Sequence, residues 1–531
     1  MMPGSGNLYT VSNLMMKTLC VTSRSCSVLL DPDGLYEARE KHLLSLNGED
    51  LGEEYRSVTS LFDLEPDTEY VLESRTEEGA VQSLSFHTKA ETCSLNVRDF
   101  GAKGDGETEE TAMIQAAILC CPEGGRVLIP PGEYVTGPLF LKSHLTLEIS
   151  DGAALKLLTD RTRFPILPGE TPANNARGEI LLGLFEGCRT DGFAAALTGI
   201  DLTDTAVIGE GLIDGRAGEG DWWINPKEKR LACRGNLLYT QRCKNMTIQG
   251  ITFLNSPSWN VHPAFSEDLD FIDIKVRAPW DSPNTDGFDP ESCRRVRLLG
   301  AEISVGDDCI AIKSGKIDLG KKYKTPCEDL EIGWCALLDG HGGVTVGSEM
   351  AGGVKNVEAH HCYMRGNDRA LRIKTRRGRG RDGIIDGIVF WDMRMDGVKM
   401  PLVVNSFYFC DADGKTEWVQ SRKKYPADET TPEIGSVCFE RVIATGCKAC
   451  AVYALGLPEK PMAHLMLKDC EFTFDPEAEP LVPAMALEVE PCSGRGVIAK
   501  FIRKLTLDHV KMDGIRGERL DLQEVEILGD Q

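Results

Sequence analysis

The sequence has no long uninterrupted apolar segment. Hydrophobic residues make up 42% of its 531 residues, but no stretch approaches the roughly 20 consecutive apolar residues that a membrane-spanning helix needs. Residues 1–15 also lack the cationic segment followed by an apolar run that marks a secretory signal peptide. We therefore expect no membrane segment and a cytoplasmic protein. Residues 1–16 are treated as a leader of uncertain status, and three origins stay open: a native segment, an upstream start or a remnant of expression.

A regular cysteine framework is also missing. The chain has 19 cysteines, an odd number without regular spacing that includes the adjacent pair Cys120 and Cys121. Disulfide-rich secreted proteins use even numbers of cysteines at defined spacings. Buried free thiols in a reducing compartment fit this composition better, and we expect no zinc or other metal site and no cofactor.

The sequence has fewer basic than acidic residues. The chain has 82 acidic and 59 basic residues, a formal net charge of −23 at pH 7. Such a field repels nucleic acid and anionic lipid, so we expect neither as a partner. A polyanionic ligand would need a locally basic site. The composition does not indicate an oligomeric state.

The N-terminal part predicts a small β-sandwich over residues 17–92. Short alternating runs such as Ser27–Leu30 and Tyr70–Glu73 are separated by turn residues. The phrase Leu64–Tyr70 resembles the tyrosine corner of fibronectin type III domains. We expect this module to be a spacer or a wall of a cleft rather than a binding domain, because a fold alone implies no function.

Residues 93–531 predict a right-handed parallel β-helix. The segment Thr108–Cys121 has the apolar pattern of one amphipathic helix, which would cap the open end of a solenoid. Beyond it, comparable strands recur roughly every 22 to 30 residues, as in a coiled repeat, and the lack of long helices excludes a βα-barrel. The expected strands include Leu145–Ile149, Ala206–Ile208, Met246–Ile248, Leu269–Ile274, Val296–Leu299, Leu330–Ile332 and Val357–Ala359.

Three aspartates stand in two short phrases of this region, Asn284-Thr285-Asp286 and Gly306-Asp307-Asp308. The two phrases are 308 − 286 = 22 residues apart, which is roughly one coil and predicts neighbouring rungs about 4.8 Å apart. Glycosidic bond hydrolysis needs one protonated and one ionised carboxyl group beside the same bond. Repulsion among three crowded carboxyl groups favours such a mixed state.

Asp307 and Asp308 pose a geometric problem because adjacent residues of a regular strand point to opposite faces. For both to face one cleft, the backbone must depart from the strand pleat at this point. Gly306 is the residue that we expect to permit this departure.

Two further motifs follow, Gly340-His341-Gly342 and Arg372-Ile373-Lys374. In this order the four motifs resemble the signature of glycoside hydrolase family 28, the polygalacturonases, and the resemblance extends from about Val97 past Ile434. The resemblance implies that Asp307 is the general acid and that Asp286 and Asp308 hold the attacking water. His341 is expected to support the acid by a hydrogen bond. The phrase Gly342–Met350 resembles the bacterial exo-acting members.

An anionic sugar is the expected substrate. Arg372 and Lys374 share one face of a strand, where they can meet one carboxylated sugar. The cationic run continues through Arg376, Arg377, Arg379 and Arg381. Such a basic edge fits a uronic acid better than a neutral glycan.

Further substrate contacts are expected on both sides of the aspartates. Asn284 belongs to the first aspartate phrase. Trp259, Asn260 and His262 belong to the coil before it, where an aromatic face and polar groups can line another subsite. Tyr408 is expected to do the same after the catalytic coils.

The resulting prediction is an inverting exo-polygalacturonase. It would hydrolyse α-1,4-galacturonosyl bonds of pectin-derived chains from the non-reducing end, with the irregular segment Phe409–Ile434 closing one end of the cleft. Three alternatives within enzymes stay open: an endo-polygalacturonase, a hydrolase of xylogalacturonan or rhamnogalacturonan, and a calcium-dependent pectate lyase. A fourth, from another class, is a non-catalytic glycan-binding β-helix such as an adhesin.

Overall fold

The computed structural model describes residues 15–528. Residues 1–14, which make up most of the predicted leader, lie outside the described residues. Among residues 15–528, no helix is long and apolar enough to cross a membrane. The described chain consists of a small β-sandwich followed by a long parallel β-helix, so the predicted all-β architecture is confirmed.

The sandwich packs a three-stranded sheet against a four-stranded sheet. Val28, Leu72 and Phe86 are buried between the two sheets. The Tyr70 hydroxyl accepts a hydrogen bond from the Glu65 backbone N–H at 2.9 Å, which is the contact expected of a tyrosine corner. The strands are Lys17–Val21, Cys26–Leu29 and Val58–Leu61 in one sheet, and Glu49–Arg56, Glu37–Leu46, Glu69–Thr76 and Val81–His87 in the other.

The β-helix presents three parallel faces, which we name sheets A, B and C. Sheet A contains Ser94–Asn96, Gly125–Ile129, Leu145–Ile149, Thr203–Ile208, Lys244–Gln249, Glu267–Ile272, Arg294–Leu299, Cys327–Gly333, Val354–His360, Glu433–Ile434 and His464–Lys468. Sheet B contains Asp105–Glu109, Gly132–Thr136, Ala153–Leu157, Leu212–Asp214, Thr252–Leu254, Lys275–Arg277, Glu302–Ser304, Ala336–Leu338, Tyr363–Arg365, Glu471–Phe474 and Lys511–Asp513. Sheet C contains Leu139–Phe140, Leu197–Ile200, Leu238–Gln241, Val261–Ala264, Ile310–Ile312, Gly342–Val346, Arg369–Lys374, Met400–Asn405 and Cys450–Leu455.

Four long strands bend from one face to the next. Two of them run from sheet A into sheet B, and two run from sheet C into sheet A; they are Ile384–Asp396, Ser436–Cys447, Arg495–Asp508 and Leu520–Leu528. Helices are few: Thr111–Cys120, Ile317–Tyr323 and Glu417–Gln420, with 3₁₀ turns at Val97–Phe100 and Arg161–Arg163. Three short hairpins between residues 166 and 193 form an insertion between sheets B and C; their strands are Ile166–Leu167, Glu170–Pro172, Glu179–Leu181, Leu184–Phe185, Cys188–Arg189 and Gly192–Phe193.

Ladders of identical register hold the coils together. Leu269, Val296, Leu330, Val357 and Ile388 are partners on successive strands of sheet A, and all five are buried. Because the side-chain period of a strand is two, each coil contributes apolar residues to the same interior column. Burying one such side chain stabilises the fold by about 1.5–3 kcal/mol.

The predicted elements agree with the observed ones except at their ends. The helix at Thr111–Cys120 starts later than predicted and buries Ile114, Ala117 and Ile118 against the first coils. The strand predicted to reach Ile274 ends at Ile272, because Asp273 takes a left-handed conformation with φ 56° and turns the chain toward sheet B.

All 19 cysteines are free, as predicted from their irregular spacing, but not all are buried, since Cys120 and Cys188 are exposed. One Cys-x-x-Cys pair does occur in the sequence, Cys447 and Cys450, and both thiols are buried. Burial raises the pKa of the Cys447 thiol to about 12. A thiol in such surroundings behaves as a small apolar side chain.

The sandwich is docked on the corner between sheets A and B. Gly300 turns this corner with φ 67°, and a Cβ atom there would lie 2.6 Å from Val58 Cβ of the sandwich. Arg56 of the sandwich pairs with Asp273 of the β-helix at 2.5 Å. The absence of a side chain at Gly300 therefore lets the two parts make close contact.

Replacing Gly300 by alanine is expected to destabilise the protein more than the same change at Gly397. Both glycines have similar left-handed conformations, φ 67° and 65°, but nothing lies within 4 Å of a Cβ atom at Gly397. Gly397→Ala should cost about 1 kcal/mol for the left-handed backbone, whereas Gly300→Ala should cost about 1–3 kcal/mol more for overpacking against Val58. Calorimetric unfolding of the two variants measures the difference, and equal losses would contradict the close docking.

Candidate active site

Three aspartates meet at the corner between sheets B and C. Phe288 and Ile310 are bridged in parallel on adjacent rungs, so the phrases that precede them lie side by side. One carboxylate oxygen from each of Asp286, Asp307 and Asp308 lies within 4.8 Å of the others. The 22-residue interval between Asp286 and Asp308 therefore corresponds to one coil, as expected.

The backbone between Glu302–Ser304 and Ile310–Ile312 leaves the strand conformation, which allows Asp307 and Asp308 to face the same cleft. The Asp308 N–H donates to Asp307 Oδ1 at 3.0 Å. Gly306 does not take a positive φ. A glycine is needed there for space, because a Cβ atom would lie 2.4 Å from the Ser282 carbonyl oxygen.

Asp308 is the buried anion of the cluster. Arg372 Nη1 lies 3.2 Å from its Oδ1 and Lys374 Nζ lies 2.8 Å from its Oδ2. Burial alone would raise the pKa of Asp308, but Lys374 and Arg372 outweigh it and hold this pKa well below its usual range. The three carboxylates are also a donor set that suits a cation, although the chain itself already supplies two cations at Asp308.

Asp286 lies in surroundings that raise its pKa, unlike those of Asp308. It is buried, and burial together with the nearby Asp307 charge raises its pKa well above the usual value. Lys313, with Nζ 3.8 Å from Asp286 Oδ2, is the one cation within 4 Å of this carboxyl group among residues 15–528. The cluster therefore retains a proton while Asp308 stays ionised.

Asp307 is paired with His341, one rung further along. The His341 Nδ1 atom lies 3.3 Å from Asp307 Oδ1, and the His341 N–H donates to the Asp307 carbonyl at 3.0 Å. The hydrogen bond to Asp307 raises the pKa of His341. The His341 side chain is 54% exposed, so this pair is the part of the cluster that solvent and substrate can reach.

Lys313 is an important residue that the motifs did not reveal. Its Nζ lies 3.4 Å from Asp289 Oδ1, 3.5 Å from Glu349 Oε2 and 4.3 Å from the Trp259 ring centroid. Burial raises the pKa of Glu349, but Lys313, Arg379 and Lys316 outweigh it and lower this pKa to about 2. The signal in the sequence was a lysine directly after the buried strand Ile310–Ile312.

Three of the other predicted substrate contacts do line the cleft: Asn284, Trp259 and Tyr408. Asn284 Oδ1 accepts a hydrogen bond from Arg234 at 2.7 Å. The Trp259 ring stacks on Phe185 of the hairpin insertion, with ring centroids 6.1 Å apart. The Tyr408 ring lies 5.5 Å from Lys374 Nζ.

Asn260 and His262 do not line the cleft, contrary to the prediction. Both are fully buried. The Asn260 amide donates to the Asp286 carbonyl at 3.0 Å, and His262 Nε2 lies 2.9 Å from Glu291 Oε2. Trp259 covers His262 edge-on at 4.9 Å, which leaves no path to a sugar.

The basic run after Lys374 is not an exposed edge. Arg377 is buried and pairs with Glu459 at 2.6 and 2.9 Å. Arg376 and Arg379 are buried and pair with Asp411 at 3.3 and 3.0 Å. Arg376 and Arg379 thereby attach the segment around Asp411 to the β-helix, whereas Arg377 also donates to the carbonyls of Trp418 and Ser421. Of the run only Arg381 is exposed.

The cleft around the aspartates has a volume of about 870 Å³. Among the described residues, eight cationic side chains line it, namely Lys227, Lys229, Arg234, Lys313, Lys316, Arg372, Lys374 and Lys415. Seven acidic side chains also line it, namely Glu186, Glu228, Asp286, Asp307, Asp308, Glu349 and Asp411. No described residue of the sandwich takes part, so this module does not form a cleft wall.

A carboxyl cluster in an open cleft of a parallel β-helix defines a carbohydrate-active enzyme. A family model described as glycosyl hydrolases family 28 matches residues 181–477, and a second model, rhamnogalacturonase A/epimerase, pectate lyase-like, matches residues 94–156. The chain belongs to glycosyl hydrolases family 28.

Individual relatives agree with this family. A probable polygalacturonase of Vitis vinifera is 29% identical over 78% of this chain and 80% of its own length. An endo-polygalacturonase of Pectobacterium carotovorum subsp. carotovorum is 29% identical over 58% of this chain and 74% of its own length. Relatives of both endo- and exo-acting kinds occur among the matches.

Two solved structures share the architecture. The hyperthermoactive exopolygalacturonase of Thermotoga maritima has a TM-score of 0.62 and 26% identity, covering 79% of this chain and 92% of its own. The family 28 exopolygalacturonase of Yersinia enterocolitica has a TM-score of 0.68, covering 96% and 98%. At 16% identity the second likeness shows the fold alone. The prediction of a right-handed parallel β-helix is confirmed.

The pair of His341 and Asp307 predicts a pH dependence of glycoside hydrolysis. A raised His341 pKa means that the pair holds its proton below that pKa and loses it as the pH rises through it. In His341→Gln the fall of kcat/KM at high pH should shift to lower pH by about 1 unit. A pH–rate profile measures this shift. His87→Gln, in the sandwich, serves as the control, and an unchanged high-pH limb in His341→Gln would contradict the shared proton.

Proposed function

We propose that the protein is a polygalacturonase that hydrolyses α-1,4-galacturonosyl bonds. The observation that carries this proposal is the contact of Asp308 with Arg372 and Lys374 at the centre of a cleft lined by eight cationic side chains. Apart from the three aspartates, the cleft has eight cationic and four acidic side chains, in a chain of net charge −23. A polymer with one carboxylate per sugar suits such a cleft, and the relatives described above are polygalacturonases.

The roles follow from the exposure and charge of each aspartate. Asp307 is the most accessible of the three, with 23% of its side chain exposed, and lies 3.3 Å from His341 Nδ1, so we assign it the donation of a proton to the leaving oxygen. Asp308 is ionised, and Asp286 has a raised proton affinity. The attacking water is held between these two, and the basic Asp286 takes its proton as the new bond forms.

The configuration of the product is the finer part of the proposal. The carboxyl oxygens lie within 4.8 Å of one another, which is closer than the roughly 6.5–9.5 Å of most inverting glycosidases. A covalent nucleophile, however, needs a free carboxylate oxygen. Both Asp308 oxygens are engaged by cations, and the Asp286 carboxylate is assigned to take the proton of the water, so we propose water attack with inversion.

Exo action is supported by a wall at one side of the cleft. Lys316 Nζ lies 3.9 Å from Glu186 of the hairpin insertion and 3.0 Å from Asp411 of the segment after Tyr408. The Lys316 N–H also donates to the Gly187 carbonyl at 2.9 Å. Two separate insertions are thus joined through one lysine beside the aspartates. A long polymer would have to pass this junction, whereas a chain end need not.

Two further assignments complete the proposal. The sandwich of residues 17–92 is a fibronectin type III-like spacer attached to the β-helix of residues 93–531, which the tyrosine corner at Tyr70 supports. The enzyme works in the cytoplasm, on oligomers of galacturonic acid. The 19 free cysteines are compatible with that reducing compartment.

A timed product profile tests the activity and the mode of attack together. The native enzyme should release galacturonate as the first product from both polygalacturonate and trigalacturonate. Asp307→Asn should lower kcat by about 10²- to 10⁴-fold, because the proton donor is lost, whereas Asp50→Asn in the sandwich should not. Mixed oligomers at early times would overturn the exo mode, and no release from either substrate would overturn the function.

Proton NMR of the first-formed product tests the configuration. An α-linked substrate cleaved with inversion gives the β-anomer of galacturonate before mutarotation mixes the two forms. Appearance of the α-anomer first would instead mean a double displacement, and one aspartate of the cluster would have to act as nucleophile.

A further inference from the structure

Arg234 occupies an unusual position beside the aspartates. It precedes the sheet C strand Leu238–Gln241 and reaches across two rungs toward the turn that carries Asn284. Its side chain lines the cleft, although only 7% of the residue is exposed. None of the four sequence motifs includes it.

The guanidinium group is anchored by neutral oxygens only. Nη1 donates to the carbonyls of Pro257 and Pro283, each at 2.8 Å, and Nη2 donates to Asn284 Oδ1 at 2.7 Å. The Nε–H is buried and has no hydrogen-bond partner among residues 15–528. A guanidinium offers five N–H donors, so at least Nε is left without an acceptor.

Arg234 also lacks an ion pair. Among the described residues, no carboxylate oxygen lies within 4.0 Å of its side-chain nitrogens, whereas Arg372, Lys374, Lys313 and Lys316 in the same cleft all have such partners. Lys227, Lys229 and Lys415 are exposed on the rim. Burial lowers the pKa of Arg234 to about 10, because the more distant charges of Glu186 and Asp286 offset the desolvation only in part.

We propose that Arg234 is the cleft's receptor for a carboxylate of the substrate and at the same time fixes Asn284 for contact with the same sugar. This inference rests on the proposed function and adds a specificity-determining residue to it. Arg372 and Lys374 each contact Asp308 directly. Arg234 has no carboxylate oxygen within 4.0 Å among the described residues, and Glu186 and Asp286 act on its charge only from a greater distance. A uronate carboxylate supplies that missing partner.

A buried arginine of this kind should discriminate by charge. Its bond to a carboxylate is stronger than its bond to a neutral ester carbonyl, because an ionised acceptor strengthens the hydrogen bond. The native enzyme should therefore prefer trigalacturonate to the fully methyl-esterified trimer. The preference should appear mainly in KM if the carboxylate is bound equally in the ground state and the transition state.

The experiment compares the ratio of kcat/KM for trigalacturonate and its methyl ester in the native enzyme, Arg234→Gln, Arg234→Lys and Arg161→Gln. Arg161 is a matched control, because it is also buried but pairs with Asp221 outside the cleft. In Arg234→Gln the ratio should fall by roughly 10- to 100-fold, the range of one hydrogen bond to a charged group. Arg234→Lys should keep part of the native preference for the acid over the ester, and Arg161→Gln should keep all of this preference.

Each outcome separates this inference from the proposed function. A native enzyme that releases no galacturonate overturns the function itself. An active native enzyme whose acid-to-ester ratio is unchanged in Arg234→Gln, with both substrates slowed equally, shows that Arg234 only supports Asn284 and overturns the receptor role. Thermal unfolding of each variant verifies that the compared proteins are folded.

Discussion

The buried contact of Asp308 with Lys374 and Arg372 is the interaction on which the active site depends. Three carboxyl groups within 4.8 Å of one another would repel strongly if all were ionised; two like charges 4 Å apart repel by about 4 kcal/mol near a protein surface. The two cations fix one negative charge at Asp308 and leave the proton to the other two. A mixed protonation state follows from the arrangement without any external ion.

The fold could be predicted from local signals because each coil repeats the same pattern. Alternating apolar residues in phrases such as Leu145–Ile149 mark strands wherever they occur, and the coil length follows from their intervals. The docking of the sandwich on the β-helix could not be predicted from such local patterns. It depends on glycines and aspartates of one corner, such as Gly300 and Asp273, and on Val58, which lies far away in the sequence.

The candidate site, like the fold, could be predicted where the signal is local in the sequence and was missed where it is not. Asp286, Asp307 and Asp308 are brought together by an interval of one coil, which the sequence displays directly. Lys313 and Arg234 were missed because their partners belong to other rungs, and the one local signal, a lysine directly after the buried strand Ile310–Ile312, does not identify those partners. Asn260 and His262 were placed in the cleft wrongly, since a residue close to one that lines the cleft can still be covered, here by Trp259 and the insertion that stacks on it.

The pairing of Arg377 with Glu459 links the cleft to coils that make no contact with the aspartates. Arg377 follows the strand Arg369–Lys374 in the sequence. Glu459 follows the strand Cys450–Leu455, which lies two strands further along sheet C. Repeat proteins usually gain or lose terminal coils with little effect on the rest. In this chain, a C-terminal truncation that removes Glu459 would take away the partner of Arg377 and would detach the loop beside the site. The length of the β-helix is therefore a determinant of the shape of the catalytic cleft.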